Sequence, residues 1–472
     1  MFGIFQNLEG IAMHFGFLKQ DIEQRRNLII NGRISSTLLM LSVPSLMVGL
    51  IQSIIPVIDG LFINNVVGTV AASAITYSAP VVNMSAALAQ GLSAAGMAII
   101  GQTNGKGDFE KSRRISTQLI VFAFLLGFVL APVLIALAFP VSAGVNDEIA
   151  SNVFLYLALS AAVLPFSFME SIYNAIKNAN GRPEDTFTRM LLMLALKIVF
   201  NLLFIAVFRW GLVGSVMASL ASNALITLWM YLELFHSSGE DKLTLSGFKF
   251  DWQIIRELLR VGVPSMLSSI MLNLGFFLIN NEVEKYGAVV LNGQGIANNI
   301  SSVCFILPSS FGAAVTTMVS MNIGAGQGKK ARSSCLTGCV ISAITAALLI
   351  AIIVPLSSRI TILFTREPEV LAVANHALGI YTYSVIGFGI CMVQQGAFIG
   401  LGRTRITLVL SVLRIWLLRY IFILATEHIL GYDSVFWGNL FSNYAAAFIT
   451  TLMILHVNWE SHDTPVLEKA SA

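Results

Sequence analysis

"LSVPSLMVGLIQ" runs from Leu41 to Gln52, and "VGVPSMLSSIML" runs from Val261 to Leu272. Each sets a proline fourth in an apolar run, and the two prolines, Pro44 and Pro264, are 264 − 44 = 220 positions apart. Two further pairs keep nearly the same spacing. "TNGKGDFEKSRR" (103–114) reads like "NIGAGQGKKARSS" (322–334), with Gly105 and Gly107 answering Gly324 and Gly326 at an offset of 324 − 105 = 219. "GRPEDTFTR" at Gly181 has a shorter counterpart, "GRTRIT", at Gly402, an offset of 402 − 181 = 221. Three motifs in one order at nearly one offset mark an internal duplication.

The composition says where such a chain folds. Of 472 residues, 56% are hydrophobic and 11% charged, against about 25% charged in a soluble domain. Mean hydropathy is +0.79. Apolar runs long enough to cross about 30 Å of hydrocarbon recur at 36–63, 70–101, 115–140, 150–177, 186–208, 211–235, 256–283, 289–323, 334–364, 371–400, 405–427 and 433–457. Pro44, Pro56, Pro80, Pro165, Pro264 and Pro308 lie inside these runs, where a missing backbone donor bends a helix.

Each half holds six runs. An even number returns the chain to its starting side, so both halves share one orientation, related by an axis along the membrane normal. The expected fold is an all-α polytopic membrane protein with twelve transmembrane helices in two pseudo-symmetric six-helix lobes. The expected organisation is an amphipathic N-terminal segment (1–33), a first lobe (34–235), a linker (236–252), a second lobe (253–458) and a tail (459–472). In the N-terminal segment, Phe5, Leu8, Ala12 and Phe15 recur at spacings of three and four, the pattern of a helix lying on a membrane surface. Residues 1–26 lack the basic start, long apolar core and small-residue site of a cleaved signal.

Basic residues alternate between loops. Lys106, Lys111, Arg113 and Arg114 follow the second run; Lys177, Arg182 and Arg189 flank the turn after the fourth. Lys242 and Lys249 follow the sixth, Lys329, Lys330 and Arg332 the eighth, and Arg403 and Arg405 the tenth. The loops after the first, third and eleventh runs hold no Lys or Arg. The positive-inside rule then puts a multi-pass protein in the plasma (inner) membrane with both termini and the linker cytoplasmic.

Several function classes fall away. A net charge of +3, dispersed along the chain, offers no nucleic-acid surface. Cys304, Cys335, Cys339 and Cys391 lie in or beside apolar stretches and read as small buried hydrophobes, and the six histidines form no ligand cluster. "GAGQGKK" (324–330) lacks both the Ser or Thr after Lys and the preceding strand of a phosphate-binding loop, so it reads as a tight turn. No catalytic or nucleotide-binding pattern stands out. The chain reads as no enzyme, without cofactor, a monomer in the bilayer acting on a small molecule and driven by an ion gradient.

Ionisable groups at membrane depth are costly and functional by default. Asp59, in "PVIDGLFINN" (56–65), stands toward the outer end of the first run. Glu170 is eleven residues before the Gly181 turn, hence about 16 Å from it along a helix. Lys197 lies inside the fifth run and needs an acid, either Asp59 or Glu170, while Asn201 four residues on shares its face. Asp59, Glu170 and Asn201 are the candidate ion-coupling residues and Lys197 the charge partner; a fixed structural ion pair is the alternative. Asn83, Gln90, Asn174, Asn178, Asn223, Asn273 and Gln394 are candidate cleft-lining groups, or interhelical hydrogen-bonding contacts. At the repeat offset Asp59 answers Ile279, so the acid machinery belongs to the first lobe. Arg414 and Arg419, five apart, read as local caps or local pairs, and the 17 Met and 31 Phe as core or lipid-facing filling, able to repack around varied ligands where they line a cleft.

These motifs together resemble the multidrug and toxic compound extrusion family. The carrying stretches are "VPSLMVGLIQSIIPVIDGLFINN" (43–65), "GRPEDT" (181–186), "GLVGSVMASLASN" (211–223), "YGAVVLNGQGIANNI" (286–300), "MNIGAGQGKKAR" (321–332), "ILFTREPEVLAVANHALGIY" (362–381) and "GLGRTR" (400–405). The resemblance implies two six-helix lobes forming a V. It also implies export of drugs, dyes or metabolites, an organic cation among them, in exchange for protons or sodium ions. Asp59 and Asn201 fall where its DinF-like branch keeps a helix-1 acid and a helix-5 asparagine. The second acid implied four residues after that asparagine is Ile205 here, so the resemblance leaves the coupling ion, H+ or Na+, open. A lipid-linked saccharide flippase of the same superfamily is the second reading; it would place cations such as Lys197, Arg414 and Arg419 in the cleft.

Overall fold

The computed structural model describes residues 21–144, 147–236, 242–362, 364 and 367–459, and no strand occurs among them. Twelve helices are long and apolar enough to cross a membrane. Spans 1–6 are Ile34–Gly60, Tyr77–Lys106, Phe109–Ala143, Ala150–Ala179, Pro183–Val207 and Gly211–His236. Spans 7–12 are Trp252–Asn280, Asn292–Gly324, Gly328–Thr361, Pro368–Gly400, Thr404–Leu430 and Asp433–His456. The expected runs are all present. Span 9 starts at Gly328, so that Lys329, Lys330 and Arg332 lie at its beginning rather than in a loop. Pro44, Pro56, Pro80, Pro264 and Pro308 sit inside continuous helices. Pro165 instead opens the helix Leu164–Ala179 after a 3-10 turn.

The duplication is written in the backbone. Positive φ recurs at Gly68 and Gly287, Gly107 and Gly326, Gly181 and Gly402, and Gly211 and Gly431. Each pair is 219 to 221 positions apart (287 − 68 = 219; 402 − 181 = 221), and Gly247, in the linker, has no counterpart. A left-handed turn tolerates little but glycine, so corresponding helix ends carry glycine in both halves. Packing follows the same rule. Span 1 lies beside span 5 as span 7 lies beside span 11, and spans 2 and 3 flank span 4 as spans 8 and 9 flank span 10. Between the halves, span 2 packs on spans 7 and 8, and span 1 packs on span 8.

The hydrophobic cores do not divide at the linker. Leu38 and Leu41 of span 1 are buried with Phe311, Val315, Met318 and Val393 of the second lobe. Further along the same helix, Ile51 joins the first-lobe core. Span 7 mirrors this: Ile255, Leu258 and Val261 are buried in the first-lobe core, and Ile279, with Val283 just past the span on the same helix, in the second. Spans 1 and 7 thus each cross from one core to the other. Their exchanged halves lie at the end of the bundle that carries the basic turns, here the basic end.

The helix Ile22–Asn31 reinforces that end. Ile29 is fully buried in the second-lobe core. Arg25 pairs with Glu184 of span 5, and Arg26 donates to the Gly105 carbonyl at 2.8 Å. Lys330 of the second lobe donates to the carbonyls of Ile30 and Gly32 at 2.5 and 2.8 Å. The segment is therefore a strap tied to both lobes, not only a surface anchor. Phe5, Leu8, Ala12 and Phe15 lie outside the described residues, as does the chain beyond Trp459.

Candidate functional site

Asp59 stands near the end of the helix Ile34–Phe62, and Asn201 is the last residue of the helix Pro183–Asn201. Both helices then change to π turns, at Ile63–Val67 and Leu202–Val207. Such insertions are rare and concentrate at functional sites. The two ends meet. Asn201 Nδ2 donates to Asp59 Oδ1 at 2.7 Å, and Lys197 Nζ lies 3.2 Å from Asp59 Oδ2. Lys197 also donates to the Ser219 hydroxyl, whose own donor goes to the Ser215 carbonyl at 3.1 Å. Asn223 Nδ2 donates to the Ser219 carbonyl at 2.7 Å. Asn201 Oδ1 is buried and has no hydrogen-bond partner among the described residues.

The pair is unequal in access. The Asp59 side chain is 27% exposed and that of Lys197 only 5%. The carboxylate is therefore partly open to the protein's surroundings, while the ammonium depends on protein partners for its solvation. A buried charge stripped of its partner is strongly destabilising, so Lys197 needs Asp59 as much as Asp59 needs Lys197. Ile205, fully buried with Ile63, Ala71 and Leu212, forms an apolar cluster beside the site. The position of the implied second acid is dry.

Glu170 is placed elsewhere. Its Oε2 lies 2.8 Å from Arg189 Nη1, and Arg189 Nε donates to Asn174 Oδ1 at 3.1 Å. Glu170 and Arg189 flank the Gly181 turn by eleven and eight residues, so an antiparallel hairpin brings them to similar height. Asn201, twenty residues past that turn, stands about 30 Å along. That difference in depth separates Glu170 from Asp59 and leaves Lys197 with Asp59. The register across the turn is readable in the sequence, but Arg189, which the basic-loop count sets beside the turn, lies inside the helix of span 5.

Of the remaining candidates, Asn83, Gln90 and Asn273 are exposed, Asn273 bonding its own helix at Ser269 O. The Asn178 carbonyl accepts from Thr317 Oγ1 at 3.1 Å across the lobes. Gln394 is buried and donates to Thr451 Oγ1 at 2.6 Å. Ser219 was not anticipated, because a lone serine in an apolar helix carries no signal. A second network was also missed: Lys177 contacts Glu233 at 2.5 Å and Asp185 at 3.0 Å, and Tyr173 donates to Glu233 at 2.6 Å. Arg414 and Arg419 are corrected. Neither forms an ion pair with a carboxylate among the described residues, and both are buried.

Inter-lobe contact gathers at the basic end. Gln102 Nε2 donates to the Gly400 carbonyl at 2.9 Å. Gly101 faces Ser320, Gly105 faces Met321, and Gly324 faces Gln102 so closely that an added Cβ would overlap each neighbour. Toward the other end, Gln52, Ser53, Asn83, Gln90, Asn280 and Asn299 of the inter-lobe helices are exposed. Polar groups exposed at that depth would be costly against lipid.

The MatE family profile matches residues 44–203 and 264–424, one match per lobe, with starts 264 − 44 = 220 positions apart. The probable multidrug resistance protein YoeA of Bacillus subtilis (strain 168) is 23% identical over 423 residues, covering 88% of this chain and 91% of its own. A crystal structure of MATE in complex with MaL6 superposes with a TM-score of 0.85 at 22% identity, covering 91% of this chain and 97% of the other. An outward-facing structure of a multidrug resistance MATE family transporter gives a TM-score of 0.83 at 21% identity, over 90% and 96% of the two chains. On these matches, and on the two-lobe fold they share with it, the chain belongs to the MatE family of membrane transporters.

Proposed function

We propose that this transporter exports organic compounds in exchange for protons, with Asp59 as the proton site and Lys197 as its internal counter-ion. The observation that carries the reading is the double hold on one carboxylate, Asn201 on Oδ1 and Lys197 on Oδ2. A sodium ion would need the oxygens that these groups already occupy, and the apolar Ile205 adds none. A proton needs only one of them. The relatives named as multidrug resistance proteins support export as the direction of transport.

In the proposed cycle the partly exposed Asp59 takes a proton from the open end of the cleft. Its attraction for Lys197 then collapses, and the ammonium turns to the Ser219 hydroxyl and the unpartnered Asn201 Oδ1. Because span 1 is buried in both cores, a change at Asp59 is transmitted to the basic-end half that holds the lobes shut. Substrate leaves, and the lobes rock to open the basic end, which lies on the cytoplasmic side in this reading.

The test is efflux of candidate dyes and metabolites from proteoliposomes under an imposed proton or sodium gradient. Proton-driven efflux that is lost in Asp59→Asn, with the fold retained, is expected. Unaltered proton-driven efflux in that variant would overturn the role of Asp59. Efflux driven by sodium alone would overturn the proton.

A further inference from the structure

The site of span 1 and span 5 has a structural counterpart in span 7 and span 11, and its polarity is reversed. Span 11 carries Arg414 and Arg419, whose side chains are both only 4% exposed. They lie ten and fifteen residues past Thr404, so about 15 and 22 Å along the helix, deep in the bundle. Residues five apart on an α-helix point about 140° away from each other. Here the backbone from Leu413 to Tyr420 is a π turn, whose wider i→i+5 winding reduces that angle and brings the two guanidiniums close enough to interact.

Neither arginine has a carboxylate partner among the described residues. Arg414 lies over the Phe388 ring at 5.3 Å, and Arg419 over the Phe276 ring at 5.7 Å. The Nε atom of each is buried without a hydrogen-bond acceptor among the described residues. The polar groups nearby are neutral: Tyr381 beside Arg419, itself reached by Gln294, and Cys391 beside Arg414. Arginine stays charged in proteins. Two adjacent guanidiniums buried without a counter-charge are costly, and ring faces offset only part of that cost. Their donors are arranged for an anion that comes from outside the chain.

We propose that the second lobe holds a binding site for an anionic group, a carboxylate or phosphate, with Arg414 and Arg419 as its ligands and Tyr381 as an accessory hydrogen-bond donor. The rings of Phe276 and Phe388 over the guanidiniums fit an amphiphile, whose apolar part follows its charged head. Phe276 is 45% exposed, which leaves the approach on that side open. The transporter would then take organic anions or zwitterions at the second lobe while the first lobe handles the coupling ion. As a substrate site it rests on the export reading above; as a binding site it does not.

Equilibrium binding to the purified protein in phosphatidylcholine nanodiscs, with no gradient present, tests the site apart from transport. The probes are decyl phosphate, decanoate, decanol, decyltrimethylammonium and inorganic phosphate. Decyl phosphate and decanoate are expected to bind at least about tenfold more tightly than decanol or the cation, the worth of a charge-assisted hydrogen bond. Arg414→Gln and Arg419→Gln should each remove that preference, and Arg419→Lys should keep part of it. Saturable binding of inorganic phosphate would assign the site to a soluble anion, and binding of the decyl anions alone to an amphiphile; either supports an anion site. Equal affinity for the decyl anions and cation in the wild-type protein, or an anion preference unchanged in both Gln variants, would overturn it. Loss of efflux with anion binding intact would count against the export reading alone.

Discussion

Lys197 Nζ stands 3.2 Å from Asp59 Oδ2 and ties span 5 to span 1 at membrane depth. The contact joins two residues 197 − 59 = 138 positions apart. The chain itself thus supplies a cation to the carboxylate proposed above as the proton site.

A double-mutant cycle measures how far each partner depends on the other. Lys197→Met leaves Asp59 without its cation, and Asp59→Asn leaves a nearly buried ammonium. Orphaning a buried charge costs about 3–5 kcal/mol, so Asp59→Asn is expected to be the more destabilising single change. The double variant should recover most of that loss, because no uncompensated charge remains. Thermal or denaturant unfolding in detergent reads the coupling. Strict additivity of the two changes would mean that the contact contributes little.

Arg414→Met exchanges a buried, uncompensated guanidinium for an apolar chain of similar length. Such replacements are neutral or stabilising by about 1–4 kcal/mol. An unchanged or raised melting temperature without ligand is expected, together with loss of the anion-dependent rise that the proposed site predicts for the wild-type protein. A large fall in melting temperature would show that the Phe388 contact already holds the arginine well. A residue kept at the expense of stability is kept for function.

Gly324 and Gly105 set the closest approach between the lobes. A Cβ at Gly324 would overlap the Gln102 carbonyl, and one at Gly105 would overlap the Met321 carbonyl. These neighbours are backbone, which cannot swing aside. Gly324→Ala is therefore expected to part the basic ends of spans 2 and 8. Thr317→Cys, in a variant otherwise free of cysteine, reports the change, since Thr317 bonds across the same seam. Thiol labelling should become several-fold faster in the presence of Gly324→Ala; an unchanged rate would show that the seam tolerates the methyl group.

Much of the fold was legible from local patterns. The apolar runs gave all twelve spans, and the shared proline and glycine motifs gave the parallel duplication, which recurs as paired left-handed glycines. Asp59 and Asn201 came together only through the family resemblance, and the structure places them in hydrogen-bond contact. Glu170 was not separable from that pair, because a carboxylate in an apolar run looks the same whether its partner is Arg189 or Lys197. Arg414 and Arg419 were misread for a related reason. Five residues in an α-helix put them on different faces, and the π turn that brings them together has no sequence signature of its own.

Hydrophobic length and turn chemistry are properties of short segments, so the sequence by itself determined the number of spans, their common orientation in the two halves, and the presence of charges within them. Which charges meet depends on the rotation and height of each helix in the bundle, and only the tertiary structure decided that. It seated Lys197 on Asp59, left two arginines without a carboxylate among the described residues, and passed spans 1 and 7 through both cores. The physical reason is that a charge inside a membrane is stabilised by whatever packing brings within a few ångströms. Distance along the chain does not encode that neighbour.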